Sequence, residues 1–187
     1  MKRLILAGII GGVILWIWGL ISWTVIPLYT PTMRNIPNED VVVETLSEYL
    51  SIKSIYIFPG LPKEDDQYSR DRWAEKYKRG PIGMIIYNPV GADPMMLGQF
   101  LIGFIIFAIA SYIAAWFLSR STAAMTSYLS RVTYCGMLGI FISLPTHLSA
   151  WNWMGYPFDF TTAMVADVVF GWIFAGLGIA GVVKSSQ

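Results

Sequence analysis

The chain has 187 residues, 55% of them hydrophobic and only 13% charged, with a mean hydropathy of +0.54 and a net charge of +1. Soluble domains carry about twice that share of charge, so the composition excludes a soluble globular domain and assigns an integral membrane protein. The near-zero net charge removes any bulk attraction to nucleic acid, and a single cysteine, Cys135, excludes an intrachain disulfide.

Four runs reach the roughly 20 apolar residues that cross a bilayer core: Leu4–Leu28, Met95–Leu118, Leu129–Ala150 and Phe160–Val183. The expected fold class is therefore an all-α membrane protein, a four-transmembrane-helix bundle with a small α+β extracytoplasmic cap between spans 1 and 2. In residue terms that is span 1 at 1–29, the cap at 30–94, and spans 2 to 4 within 95–187. The first run follows Met1-Lys2-Arg3, as a secretory signal would. It is longer than a signal's apolar region, carries Trp16, Trp18 and Trp23, and has no small-residue cleavage pattern after it, so it reads as an uncleaved signal anchor.

The cap segment alternates in character. "IPNEDVVVETLSEYL" begins with Asn38 and acidic residues that suit a helix N-terminus, and Val42, Leu46, Tyr49 and Leu50 form an apolar stripe. "SIYIF" reads as a strand stopped by Pro59-Gly60. "EDDQYSRDRWAEKYKRG" reads as a polar helix with acids early, bases late and Gly80 as its stop. Its Asp65-Asp66 pair suits a helix N-cap better than acid–base chemistry. "PIGMIIY" is a second strand. The charged helix is expected to be a solvated face or a partner surface, and the cap, too small to bury much core alone, to rest on the outer face of the bundle.

Small residues mark contact faces between helices in lipid. In span 1 they are Gly8, Gly12, Gly19 and Ser22. In span 2 they are Gln99, Gly103, Ala110 and Ala114. Span 3 offers Gly136, Gly139 or Ile140, Ser143 and His147; span 4 offers Ala163, Asp167, Gly171, Ala175 and Gly178. Steps of three, four and seven keep each set on one side of its helix. Five polar residues on these faces, Ser22, Gln99, Ser143, His147 and Asp167, fall in the same half of the bilayer and form an expected intramembrane polar layer. Pro145 frees the carbonyl of Phe141 at that level. A charged carboxylate there costs on the order of 3 kcal/mol, so Asp167 must be paired, solvated or protonated.

That layer has three readings. It is a hydrogen-bonded knot that sets helix register with Asp167 neutral, a titrating His147–Asp167 pair lining an aqueous opening for protons or small solutes, or a lipid- or quinone-like pocket roofed by Trp151, Trp153 and Tyr156. The stretch "AWNWMGYPFDF" also has a plainer meaning. Trp23, Trp151, Trp153 and Tyr156 are an interfacial aromatic belt, Gly155 and Pro157 make a turn, and Asp159 is placed to cap span 4.

Catalytic and metal chemistry find little support. One histidine excludes a bis-histidine haem and a His-rich zinc or copper centre. His147 with one of nine methionines is a coincidence, not a haem site, and Asp159, Asp167 and His147 lack metal-ligand spacing. Cys135 and His147, twelve residues apart on one helix, are separated by roughly 18 Å. No phosphate-binding loop or dinucleotide fingerprint occurs. No catalytic residue, cofactor or metal is expected.

"WGLISWTVIP", "GPIGMIIYNPVG" and "LPTHLSAWNWMGYPFDFTTAMVADVVFGWIFAGL" together resemble an uncharacterised family of small bacterial four-span inner-membrane proteins. The resemblance implies a bacterial inner membrane and carries over no catalytic residue. Lysine and arginine near the spans (Lys2, Arg3, Arg120, Arg131, Lys184) orient both termini and the link between spans 2 and 3 toward the cytoplasm, leaving 30–94 outside. The function expected is a non-enzymatic membrane subunit that packs with itself or with other membrane proteins, in contact with membrane lipid. The alternatives are a small channel or proton-coupled carrier using His147 and Asp167, or a lipid- or quinone-binding protein.

Overall fold

The computed structural model describes residues 1–94 and 96–184 and is mostly helical. Four helical segments are long and apolar enough to cross a membrane: Lys2–Thr24, Leu97–Arg120, Tyr128–Met154 and Phe158–Val182. The expected start of the second span at Met95 lies outside the described residues, as do 185–187 at the end of the third expected domain. The chain divides into two compact units, Met1–Arg34 with Met95–Gln187, and Asn35–Pro94.

In the first unit, α1 (Lys2–Thr24) ends four residues before its apolar run does. Pro27 is the reason: it lacks an N–H and disfavours helix at the residue before it. The chain then bends through a 3-10 turn at Thr30–Thr32, which seats Tyr29 almost fully inside, 6% exposed.

The second unit, Asn35–Pro94, contains α2 (Glu39–Tyr49), β1 (Ser54–Phe58), α3 (Gln67–Arg79) and β2 (Gly83–Tyr87), the expected order of elements. Asp66 caps α3: its Oδ1 accepts from the Ser69 N–H at 2.9 Å and its Oδ2 from the Ser69 hydroxyl at 2.8 Å. These bonds, the backbone one first, hold the Asp66 carboxyl below the usual aspartate range. Gly80, with φ of 68°, stops the helix in a conformation that favours glycine. The strands pair antiparallel with Ile55 opposite Ile86 and Ile57 opposite Met84. One sheet face therefore carries Ile55, Ile57 and Ile86, all exposed, and the other carries the half-buried Tyr56, Ile85 and Tyr87. The expected stripe on α2 is half-buried at Val42, Leu46 and Leu50. Tyr49 is not part of it and is 76% exposed.

Returning to the first unit, α4 (Leu97–Arg120) leads through a short 3-10 turn to α5 (Tyr128–Ser143). α5 passes through one widened π turn, Leu144–Leu148, into α6 (Ser149–Met154). Pro145 causes the widening, because it cannot donate to Phe141. The Thr146 hydroxyl donates to the Ile142 carbonyl at 2.7 Å and satisfies it. Gly155, φ 71°, turns the chain into α7 (Phe158–Val182). Here the expectation for Asp159 needs correction. Pro157 holds the capping position, and Asp159 lies in the first turn, accepting from the Phe160 N–H at 2.8 Å.

The four spans pack as a series of neighbours, α4 on α1, α1 on α7 and α7 on α5, while α4 and α5 meet only lightly. Small side chains allow this. A Cβ on Gly12 would lie 2.7 Å from the Ala108 Cα, and one on Gly8 2.9 Å from the Tyr112 Cβ, so α1 and α4 touch nearly backbone to backbone. Between α5 and α7 a glycine of each helix opens onto the other: Gly139 faces Trp172 and the Val168 carbonyl, Gly176 faces Cys135 and the Val132 carbonyl. The buried cluster of Ala7, Ala114, Ala115, Leu118, Cys135, Ala175 and Ile179 lies toward the end that carries the α4–α5 link. At that end Tyr128 and Arg131 of α5 donate to the carbonyls of Leu177 and Ala180 near the C-terminus of α7, where a cation is favoured.

Candidate functional site

The opposite end of the bundle holds the polar residues. Asp167 lies nine residues past the start of α7, about 14 Å along the helix. Its side chain leans toward the helix N-terminus, as helical side chains do, and so toward the returning chain after α1. There the Tyr29 hydroxyl donates to Asp167 Oδ2 at 2.7 Å. Tyr29 is stacked on Trp23, ring centroids 4.2 Å apart, and tilted against Phe160 at 6.0 Å. Burial first, and then the hydrogen bond and charge of Asp167, push the Tyr29 phenol well above the usual tyrosine range. Tyr29 is consequently a donor at any physiological pH.

The main chain of Asp167 is held as well. Trp18 Nε1 of α1 donates to the Asp167 carbonyl at 2.9 Å. The indole can approach because residue 171, one turn on, is glycine: a Cβ there would meet Trp18 Cδ1 at 2.9 Å. Trp18 thus binds α1 to α7. On the other side of α1, Trp16 donates to the Phe100 carbonyl of α4 at 3.1 Å. Buried indole N–H groups need acceptors, and these two find theirs on different helices.

One atom of the site is left over. Asp167 Oδ1 is buried and has no hydrogen-bond partner among the described residues. His147 is half-buried on the π turn packed against α7, and no hydrogen bond joins it to Asp167.

The expected polar layer is therefore only partly assembled. Ser22 and Ser143 are buried, but each donates within its own helix, to the carbonyls of Gly19 and Gly139. Neither bridges to Asp167, because a helical serine finds an acceptor one turn back at no cost in rearrangement. Gln99 is exposed and stands apart. Of the belt, Trp153 is 81% exposed, Trp151 packs edge-on to Phe158 and Tyr156 tilts against Phe160. The ring that reaches Asp167 is that of Tyr29, against which Trp23 and Phe160 pack. The helix-packing glycines also divide. Gly8, Gly12, Gly171 and Gly178 sit against side chains or backbone of another helix, whereas Gly19 and Gly103 face open space. Gly139, not Ile140, takes the contact position of span 3.

Sequence reading missed Tyr29, Trp18 and Gly11, whose Cβ would meet Ser111 at 2.7 Å. For Trp18 there was a signal, an indole N–H deep in an apolar run. Tyr29 has a weaker one, a phenol between Pro27 and Pro31 just beyond a span.

Comparison with protein-family models, with curated proteins and with solved structures yields no match.

Proposed function

We propose that this chain is a non-enzymatic subunit of a membrane assembly, packing with further copies of itself or with other membrane proteins. In this reading both termini face the cytoplasm across a bacterial inner membrane and residues 30–94 lie outside. One observation carries it: no described residue of Asn35–Pro94 is fully buried. A domain of about 60 residues that folds by itself hides roughly 60% of its chain surface. This one leaves Ile55, Ile57, Ile86, Val41 and Val90 outside, exposures 46–77%. A two-stranded sheet is marginal alone, and its isoleucine face is apolar surface that a partner would cover. The clasp on Asp167 fits the same reading, since it serves to fix α1, α7 and the returning chain relative to one another. The test is the oligomeric state in mild detergent, combined with crosslinking in cells. A complex larger than the monomer is expected, weakened by Ile55→Lys and Ile86→Lys. A stable monomer with no crosslinked partner refutes the reading.

The leftover Oδ1 of Asp167 favours a second reading: a channel or proton-coupled carrier using His147 and Asp167, in which this carboxyl exchanges a proton. Asp167→Asn should then abolish pH-dependent flux in proteoliposomes while leaving the protein folded. Absence of flux in the parent protein, or equal flux in the variant, refutes it.

A further inference from the structure

The second unit contains a cavity of about 620 Å³ between α3 and the segment that leaves β1. Tyr68, Arg72, Lys76 and Arg79 fall at steps of four, four and three along α3 and so lie on one helix face. The first three line this cavity. Arg79 lines a smaller one that shares Arg72 and Lys76 with it. Across from the helix, Gly60-Leu61-Pro62 forms the other wall and delivers Lys63 to it. Pro62 fixes its own backbone there.

The charges around this cavity are unbalanced. Lys63, Arg72 and Lys76 face it with a single acid, Glu64. Arg70, which does not line the cavity, pairs with Asp65. Asp66, also at this end of α3, does not line the cavity; it caps the helix through Ser69 and keeps its charge. Gathering like charges at one concavity is unfavourable unless an anion enters. Arg72 is also pre-oriented, its guanidinium 5.5 Å from the Tyr68 ring centroid. Stacking of this kind leaves the edge of the fork free to take two oxygens at once. Trp73 also lines this wall, with its Nε1 turned away from solvent.

We infer that this cavity binds a phosphate-class anion, taken between Lys63 on one wall and Arg72 and Lys76 on the other. Arginine suits the group because its planar fork matches two phosphate oxygens, and the two lysines supply point charge. Tyr68 and Trp73 add apolar wall, which suits a phosphate ester more than a bare ion. The chemistry is shared by two sources, a free phosphate compound and the headgroup of an anionic phospholipid.

The experiment uses the full chain in nanodiscs and reads the reactivity of each lysine toward an amine-acylating reagent by mass spectrometry. One arm adds inorganic phosphate or glycerol phosphate to phosphatidylcholine discs, with chloride at matched ionic strength as reference. The other arm replaces part of the lipid with phosphatidylglycerol. Lys63 and Lys76 are expected to be protected, and Lys53 and Lys78, which do not line the cavity, are not. Protection by the soluble phosphates identifies a free ligand, and protection only in phosphatidylglycerol discs identifies a headgroup. Arg72→Gln should weaken the protection about tenfold in concentration while leaving the circular dichroism spectrum unchanged, the size expected for one charge-assisted bond. Protection in neither arm overturns the proposal. So does equal protection of Lys53 and Lys78, or protection that Arg72→Gln leaves intact.

Discussion

Gly12→Ala is the most direct probe of how the bundle is held together. The added methyl would stand 2.7 Å from the Ala108 Cα, 2.8 Å from its N and 2.9 Å from its Cβ. Ordinary carbon contacts begin near 3.4 Å, so the shortfall is about 0.7 Å. Two of the three atoms belong to the backbone, and no rotamer change relieves them. α1 has to retreat from α4 along much of its length, which also stretches the Trp16 bond to the Phe100 carbonyl. Overpacking of this kind costs about 1–3 kcal/mol, against a gain of about 1 kcal/mol from replacing glycine within a helix. The expected net loss is about 0–2 kcal/mol. Gly19→Ala is the matched control. Nothing lies within 4 Å of the Cβ it would add, so only the helix term remains, and the protein should be as stable as the parent or up to about 1 kcal/mol more so. Unfolding by a denaturing detergent, followed by far-UV circular dichroism in mixed micelles, measures both. The reasoning fails if Gly12→Ala is more stable than the parent, or if the two substitutions have the same effect.

Three further outcomes follow from the polar contacts. Tyr29→Phe removes the hydroxyl that bonds Asp167 and should cost about 1–3 kcal/mol, the range for a buried acceptor left bare. Combined with Asp167→Leu it should cost clearly less than the two single losses together, and strict additivity in the same unfolding assay would contradict the clasp. Trp18→Phe removes the bond to the Asp167 carbonyl and should cost about 0.5–1.5 kcal/mol; the same change at Trp23, which makes a ring contact only, should leave the α1–α7 contact as it was by cysteine crosslinking. Asp66 sets a pH dependence at the start of α3. Its carboxyl is held low in the folded chain, so its contribution is present above the range of an unfolded aspartate and is lost as pH falls through the lowered value. Protection of the Ser69 and Arg70 amides from hydrogen exchange, taken relative to the intrinsic rate at each pH, should therefore fall on acidification, and Asp66→Ala should remove that dependence.

The sequence by itself determined whatever depends on short stretches of chain. Apolar runs of sufficient length defined the four spans, because the cost of exposing backbone in lipid is met locally within each helix. Asp66 and Gly80 bounded α3, Gly155 turned α6 into α7, and period-two runs marked β1 and β2, since caps, turns and pleats involve neighbouring residues. Tertiary structure decided which of several equivalent residues meet a partner. Gly8, Gly12 and Gly19 are indistinguishable along α1, yet only the first two reach α4, because the contact depends on where that helix runs. Ser22, Gln99, Ser143 and His147 all qualified as partners for Asp167, and the hydroxyl that reaches it belongs to Tyr29, 138 residues away. Helical serines are satisfied by their own carbonyls, whereas a phenol on a turn beyond the helix end has no such acceptor at hand. That difference is invisible to spacing rules and is settled only by how the chain folds back.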